Sequence, residues 1–500
     1  MNRYFSLLCS LLLILSCTDS KQNNDGNSSS NVRLTVDATE TISPLKITLG
    51  AQLDDWVLYQ ELKAANRLKE IHPSWFRIHA GADVGVLPEI LEAENWGRWD
   101  FNGLDNLVKI AAETGAKAIL NIRHAPVTLS SCSEFKSAAG SLLEANYRGF
   151  ADYMSKLVAY YNLGAFDDNG IIYNNPFGKS NRVDYWEVWN EPDLAYEFPC
   201  IVPEDKPVLS PDEYNAMLEI VSTAMLNIDP TIKIIAPAVS DPRNIKYTKL
   251  LLDSQRVSLY GISMHGYAGA NSASDSELIT GGVAGIGLNG IVNGVLSQIS
   301  LVDSNNKTAM PIFLDEFNIS PDGFDDPLMR GWNGFGVALN TSLFIRLATL
   351  PGDHPIVFLP FQFIEGSGLR LTSIDWRTGE SMLPYWKDLL LSKAIGDGGD
   401  ILQASSNSSQ IDVLATLSSN KDKIHILISN FSGRFGSKQD NLNIDLRGLR
   451  SGMVESATIE FVDDDTDRNA GPRKSEIFYN NGFDIAFSGV GAALITVTLH

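Results

Sequence analysis

The sequence predicts a (β/α)8 barrel followed by a small all-β sandwich, and three observations predict it. Eight short apolar runs alternate with helical stretches between residues 46 and 398. Polar residues gather at the carboxyl ends of those runs, where a parallel barrel presents its functional groups. From residue 399 the helical period stops and short alternating strands follow, separated by Asn, Asp, Gly and Ser. Five hundred residues suit this plan, being too many for one ordinary core.

Taken in order, residues 1–17 read as a targeting segment. Arg3 is the positive flank and Leu7–Leu15 an apolar run too short to span a bilayer. It closes on Ile14-Leu15-Ser16-Cys17, which resembles the lipobox of bacterial lipoproteins. That resemblance implies an exported chain, lipid-anchored through Cys17 to a bacterial membrane on the periplasmic or cell-surface face; a plain secretory signal is the alternative. Residues 18–31 are polar and low in complexity, the composition of a flexible tether. Residues 32–45 open with an alternating strand, V-R-L-T-V-D-A, expected to join the sandwich.

The barrel strands are expected at Ile47–Ala51, Trp75–His79, Ala116–Arg123, Tyr185–Trp189, Lys233–Ala238, Gly261–Met264, Ile312–Leu314 and Ile356–Phe361. Between them, Trp56, Tyr59, Leu62 and Leu68 share one helical face, and Leu104, Leu107, Val108 and Ala111 another. Ser210-Pro211-Asp212-Glu213 has the spacing of a capping box with proline in the first turn. A last helix spans about 382–394. A doubly wound sheet would carry a glycine-rich turn after an early strand, and Ile47–Gln52 holds only Gly50. Sandwich strands are expected at Asp412–Ser418, Lys423–Phe431, Leu442–Leu446, Ser456–Val462 and Ala493–Leu499.

A net charge of −21 argues against nucleic acid as a partner, because phosphate binding needs a basic surface. No Cys-x-x-Cys, His-x-x-x-His or His-x-His spacing points to a metal. Cys132 follows strand three and Cys200 strand four. Both loops fall on one rim of the barrel, so a Cys132–Cys200 disulfide is expected in an exported chain.

The strand ends carry Gln52, Arg77, His79, Arg123, His124, Asn190, Glu191, His265, Tyr267, Glu316, Gln362 and Glu365. Glu191 and Glu316 close strands four and seven. Two carboxyl groups facing one cleft are what glycosidic cleavage requires, one as proton donor and one as nucleophile. Arg77 is placed to hold one of them ionised. Glu187, inside strand four, is expected in a structural ion pair. Asp315 and Glu316 are adjacent, so a regular strand would point them to opposite faces. Trp186 and Trp189 suit either core or sugar platform.

W-N-E-P at Trp189–Pro192, H-G-Y at His265–Tyr267 and D-E-F at Asp315–Phe317 resemble the pattern of glycoside hydrolase clan A. Within the clan the chain is most similar to family 39, the β-xylosidases and α-L-iduronidases, over residues 46–396; families 5, 30 and 79 share much of the pattern. The resemblance implies a retaining hydrolase needing no cofactor, with a carbohydrate substrate. Glu191 would be the acid/base and Glu316 the nucleophile. Asn190 would bind the sugar 2-hydroxyl, Tyr267 would lie by the nucleophile, and His265 would contact sugar or a carboxylate. Arg77 would orient Glu316. His79, His124, Gln362 and Glu365 complete the expected substrate-binding set. Two departures touch the sugar subsite: Asp315 stands where many family 39 chains have Thr, and Phe361-Gln362-Phe363 where the clan often has Trp. A β-xyloside is the default substrate, and a uronic or algal polysaccharide unit the alternative. A non-catalytic glycan-binding lipoprotein and a metal-dependent barrel hydrolase are the competing readings.

Overall fold

The structure, a computed structural model, describes residues 32–53, 56–80, 99–123, 126, 129, 147–194, 208–321, 323, 326–366, 368–432 and 441–500. The leader and tether, Cys17, Cys132, Cys200, His124 and the side chain of His79 lie outside the described residues. Among the described residues no helix is long and apolar enough to cross a membrane.

All eight expected barrel strands are present. Ile47–Gln52, Trp75–Ala80, Lys117–Ile122, Tyr185–Val188, Lys233–Val239, Leu259–Tyr267, Ile312–Asn318 and Ile356–Phe358 close a parallel barrel in chain order. Strand eight returns to strand one through Ile356 opposite Ile47. Strands six and seven run three and four residues past their expected ends, to Tyr267 and Asn318, and strand eight stops three residues early.

Side chains alternate across each strand. Phe76, Leu120, Trp186, Ile234, Ile262, Leu314 and Phe358 point outward into the core shared with the helices. Trp75, Ile119, Tyr185, Ile235, Phe313, Val357 and Leu359 point inward and form a separate apolar plug. Its rings pack edge to face, Trp75 to Tyr185 at 4.8 Å and Trp75 to Phe313 at 5.2 Å between centroids.

The helices follow the apolar period with one exception. Asn102–Thr114 buries Leu104, Leu107, Val108 and Ala111, and Pro211–Ile228 opens on the expected capping box. Trp56–Leu68, read as one face, is two short helices, Trp56–Glu61 and Ala65–Ile71. Lys63 breaks them with a left-handed φ of 52°, which a periodicity count does not register.

The carboxyl-terminal strands form one nine-stranded sheet. The strand Val32–Pro44 lies antiparallel to Gly399–Ser406 and parallel to Asn441–Arg447, so it joins the carboxyl-terminal sheet. Val36, Ile426, Ile444 and Ile495 come from separate parts of the sheet yet share one core, so the sheet folds over on itself as a sandwich. Gly399–Ser406, Arg473–Glu476 and Gly482–Ala486 are further strands, beyond those expected. The sandwich rests on the helices Gly334–Ala348 and Leu383–Ile395. Ser429 Oγ donates to Ala338 O at 2.7 Å, Trp386 Nε1 donates to Arg468 O at 2.9 Å, and Arg346 pairs with Asp412 at 3.0 Å.

Candidate active site

The site is built on Arg77. Two residues past Trp75 on the same strand, it points into the lumen just above the apolar plug and is fully buried. Its Nη1 donates to Glu316 Oε1 at 2.6 Å and to Gln52 Oε1 at 3.2 Å. Its Nη2 donates to Asn190 Oδ1 at 2.9 Å. Its Nε donates to Glu187 Oε2 at 2.9 Å, and Nη2 lies 2.8 Å from the same oxygen. Burial opposes the guanidinium charge, but Glu187, Asp315 and Glu316 outweigh it and raise the pKa. Arg77 thus meets Glu316, Asn190, Gln52 and Glu187, and its contact with Glu316 is the one expected of it.

Strand four leaves the barrel through a strained turn. Trp189 and Glu191 both take left-handed φ, 74° and 46°, a conformation costing a non-glycine residue about 1–3 kcal/mol. Backbone bonds hold it: Trp189 N–H donates to Ile122 O, Asn190 N–H to Arg123 O and Glu191 N–H to Ala238 O, at 2.8–2.9 Å. The turn sends Trp189 outward, fully buried and edge-on to Phe150. Trp186 is also fully buried, its Nε1 donating to Val183 O. Both tryptophans are wall. Glu191 is left facing the cleft, its side chain 14% exposed.

Strand seven carries the largest surprise. Its register against strand six shifts between Leu314, opposite Met264, and Glu316, opposite His265. The extra residue is a β-bulge. Asp315 and Glu316 therefore do not alternate as a regular strand would require; both face the lumen. Asp315 Oδ2 lies 3.6 Å from Arg77 Nε, and Asp315 Oδ1 lies 3.7 Å from His265 Nε2. Glu316 meets Arg77 on one oxygen and accepts the Tyr267 hydroxyl on the other at 3.0 Å.

His265, fully buried, meets Glu191 Oε1 through Nδ1 at 2.8 Å and lies 3.6 Å from Glu316 Oε2. Of its two expected contacts, it makes the carboxylate one. Burial disfavours its imidazolium, but the two glutamates outweigh burial and raise its pKa above 6.5. Burial pushes the Tyr267 phenol well above 10, helped by Glu316 and Glu191, so it stays a donor. Glu187 is pulled the other way: burial opposes its charge, yet Arg77 and its hydrogen bonds lower its pKa. It also accepts from Asn121 Nδ2 at 2.9 Å.

Gln362 is buried, with no partner for its Oε1 among the described residues. Glu365 lies in the turn after strand eight, where its Oε1 accepts from Leu369 N–H at 3.0 Å. Asn121 was not among the expected strand-end residues; Gln52 was, and it joins the site through Arg77. A polar residue inside the apolar run K-A-I-L-N-I was the available signal for Asn121.

One atom each from Glu191, His265 and Glu316 lies within 4.8 Å of the others, a spacing that also suits a cation. Their hydrogen bonds are already made, and Arg77 sits 2.6 Å from Glu316, so a divalent ion would meet a fixed positive charge.

No protein-family model and no curated protein matches the chain. Solved structures match along almost all of it. The β-xylosidase of Caulobacter crescentus CB15 superposes with a TM-score of 0.66 at 12% identity, covering 93% of this chain and 99% of that one. The α-L-arabinofuranosidase of Thermotoga maritima, in an arabinose complex, gives 0.64 at 16%, covering 94% and 100%. A glucosidase from Croceicoccus marinus gives 0.63 at 13%, covering 94% and 99%. The likeness is one of fold, and it spans barrel and sandwich together.

Proposed function

We propose that this chain is a retaining glycoside hydrolase. The observation that carries the reading is the placement of Glu191 and Glu316 at the mouths of strands four and seven, with one oxygen of each and His265 Nδ1 inside a 4.8 Å cluster. Retaining enzymes hold their carboxyls at about 5–5.5 Å, whereas inverting ones leave room for water at about 6.5–9.5 Å. Glu316, held by Arg77 and Tyr267, attacks the anomeric carbon. Glu191 gives its proton to the departing oxygen as the glycosidic bond breaks. Glu191 then takes a proton from water, which attacks the sugar ester of Glu316 and frees the nucleophile. His265 Nδ1 can accept from protonated Glu191 or donate to ionised Glu191, so one contact serves both half-reactions.

A β-xyloside leads as substrate. The fold is shared with a β-xylosidase and an arabinofuranosidase, both named for pentosides. Arg77 is already engaged by Glu187, Glu316 and Asn190, which favours a neutral sugar over a uronic acid. The test is hydrolysis of aryl β-xylosides, α-L-arabinofuranosides and β-glucuronides, with the product anomer followed by NMR. The first-formed product keeps its configuration; an inverted one would overturn the assignment. EDTA should leave the rate unchanged, and a rate lost to EDTA and restored by a divalent ion favours the metal-dependent reading. The proposal extends to location. Cys17 is lipidated, so labelled palmitate enters the wild-type chain in its bacterial host and is lost with Cys17→Ser; labelling that survives the change refutes the anchor.

A further inference from the structure

Four polar atoms in the floor of the site, below Glu191 and Glu316, are fully buried with no hydrogen-bond partner among the described residues. They are His265 Nε2, Glu187 Oε1 and both oxygens of Asp315. Two facing carboxylates cannot bond to each other; add one proton and they can. Asp315 and Glu187 flank one nitrogen, Arg77 Nε, at 3.6 Å and 2.9 Å, and a hydrogen bond between the two carboxyls contributes to the pKa of each. Glu187 already accepts from Arg77 and Asn121, donors suited to an anion. Among the described residues Asp315 has no such donor, its nearest guanidinium nitrogen being 3.6 Å away. A shared proton therefore belongs on Asp315.

We propose that Asp315 is a positioning residue: a neutral carboxylic acid that donates its proton to Glu187 beneath the nucleophile. With Asp315 neutral, Arg77 divides its donors between two anions, Glu187 and Glu316. With Asp315 ionised it would face three, and Arg77, Glu187 and Asp315 are all fully buried. Every neighbouring element bears on this. Arg77 comes from strand two, Glu187 from strand four, Ser263 and His265 from strand six, and Tyr214 from the helix Pro211–Ile228. Burial, together with the Glu187 carboxylate, holds Asp315 well above the ordinary carboxylate range, in the same direction as the geometry. Asp315 points inward by ordinary alternation, two residues after Phe313, and the bulge turns Glu316 inward directly above it.

Only the kinetic part rests on the hydrolase reading; the proton itself can be seen without turnover. Infrared difference spectra of wild type minus Asp315→Asn at neutral pH should show a protonated-carboxyl carbonyl band that shifts in D2O. No such band would overturn the proposal. With whichever aryl glycoside is cleaved, Asp315→Asn should stay within a few-fold of wild type, since the amide also donates to Glu187. Asp315→Ala should lose about a hundredfold in kcat at similar KM, as Arg77 and Glu316 shift. An Asn variant as impaired as the Ala variant would mean that Asp315 acts as an anion, and would also overturn the proposal. If Asp315→Ala fails to fold, the infrared band and the Asn rate decide. If wild type cleaves no glycoside, the hydrolase reading fails and the band still reports on Asp315.

Discussion

The two ends of the barrel lumen are built from the same strands two residues apart, and they behave oppositely. At the amino end, Trp75, Ile119, Tyr185 and Phe313 make a dry plug. At the carboxyl end, Arg77, Asn121, Glu187 and Asp315 occupy the next inward positions and make a buried charge network. Each large apolar side chain in the plug contributes about 1.5–3 kcal/mol by leaving water. Each buried ion costs several kcal/mol before its partner repays it. The plug anchors the strands firmly enough for a costly, preorganised site to stand on them. Stability and chemistry are thus separated along the barrel axis by about one inward-facing layer.

That separation can be broken from the top. Glu316→Ala should lower turnover by about 10⁴-fold or more while unfolding as wild type does. Glu191→Ala should lose about 10²–10⁴-fold on an alkyl glycoside and much less on a nitrophenyl one, whose leaving group needs little protonation. Equal losses on both substrates would remove Glu191 from the acid role. Arg77→Met should do both kinds of damage: no measurable turnover, and a loss of about 3–5 kcal/mol in urea unfolding as Glu187 and Glu316 lose their cation.

The plug sharpens the contrast. Trp75→Ala should also cost about 3–5 kcal/mol, yet its folded fraction should keep turnover within a few-fold of wild type. A large loss of kcat in folded Trp75→Ala would show that the layers are coupled. A smaller, pH-dependent effect belongs to His265. Its folded pKa is raised above 6.5, so the stability it adds is fully present below about pH 6.5 and is lost as pH rises through the folded value. The stability gap between wild type and His265→Asn should therefore narrow with rising pH, by at most about 1.4 kcal/mol per pH unit. Far from the lumen, Ser210→Ala should cost about 1 kcal/mol by removing the cap, with no change in turnover.

Local patterns carried most of the fold. The apolar runs of eight strands, the Ser210 capping box and the alternation of residues 32–38 all depend on near neighbours in the chain, so they can be read before folding. Glu191 and Glu316 were legible for the same reason, each closing an apolar run. Short or polar strands were not: Arg473–Glu476 has four exposed residues and no apolar alternation to count. Within the site, Asn121 was overlooked because a single polar residue near a strand end looks the same whether it faces the lumen or the solvent.

By itself the sequence determined the order of strands and helices, the two glutamates and the residues available to surround them. The tertiary structure decided which of those residues meet. Arg77, Glu187, Asp315 and His265 come from strands two, four, seven and six, and only barrel closure brings them within 4 Å of one another or of Glu316. The inward turn of Glu316 beside Asp315 depends on a bulge whose register is set against strand six, a non-local choice that alternation along one strand cannot contain. A side chain's chemistry is written at its own position, whereas its charge state depends on what the fold buries beside it.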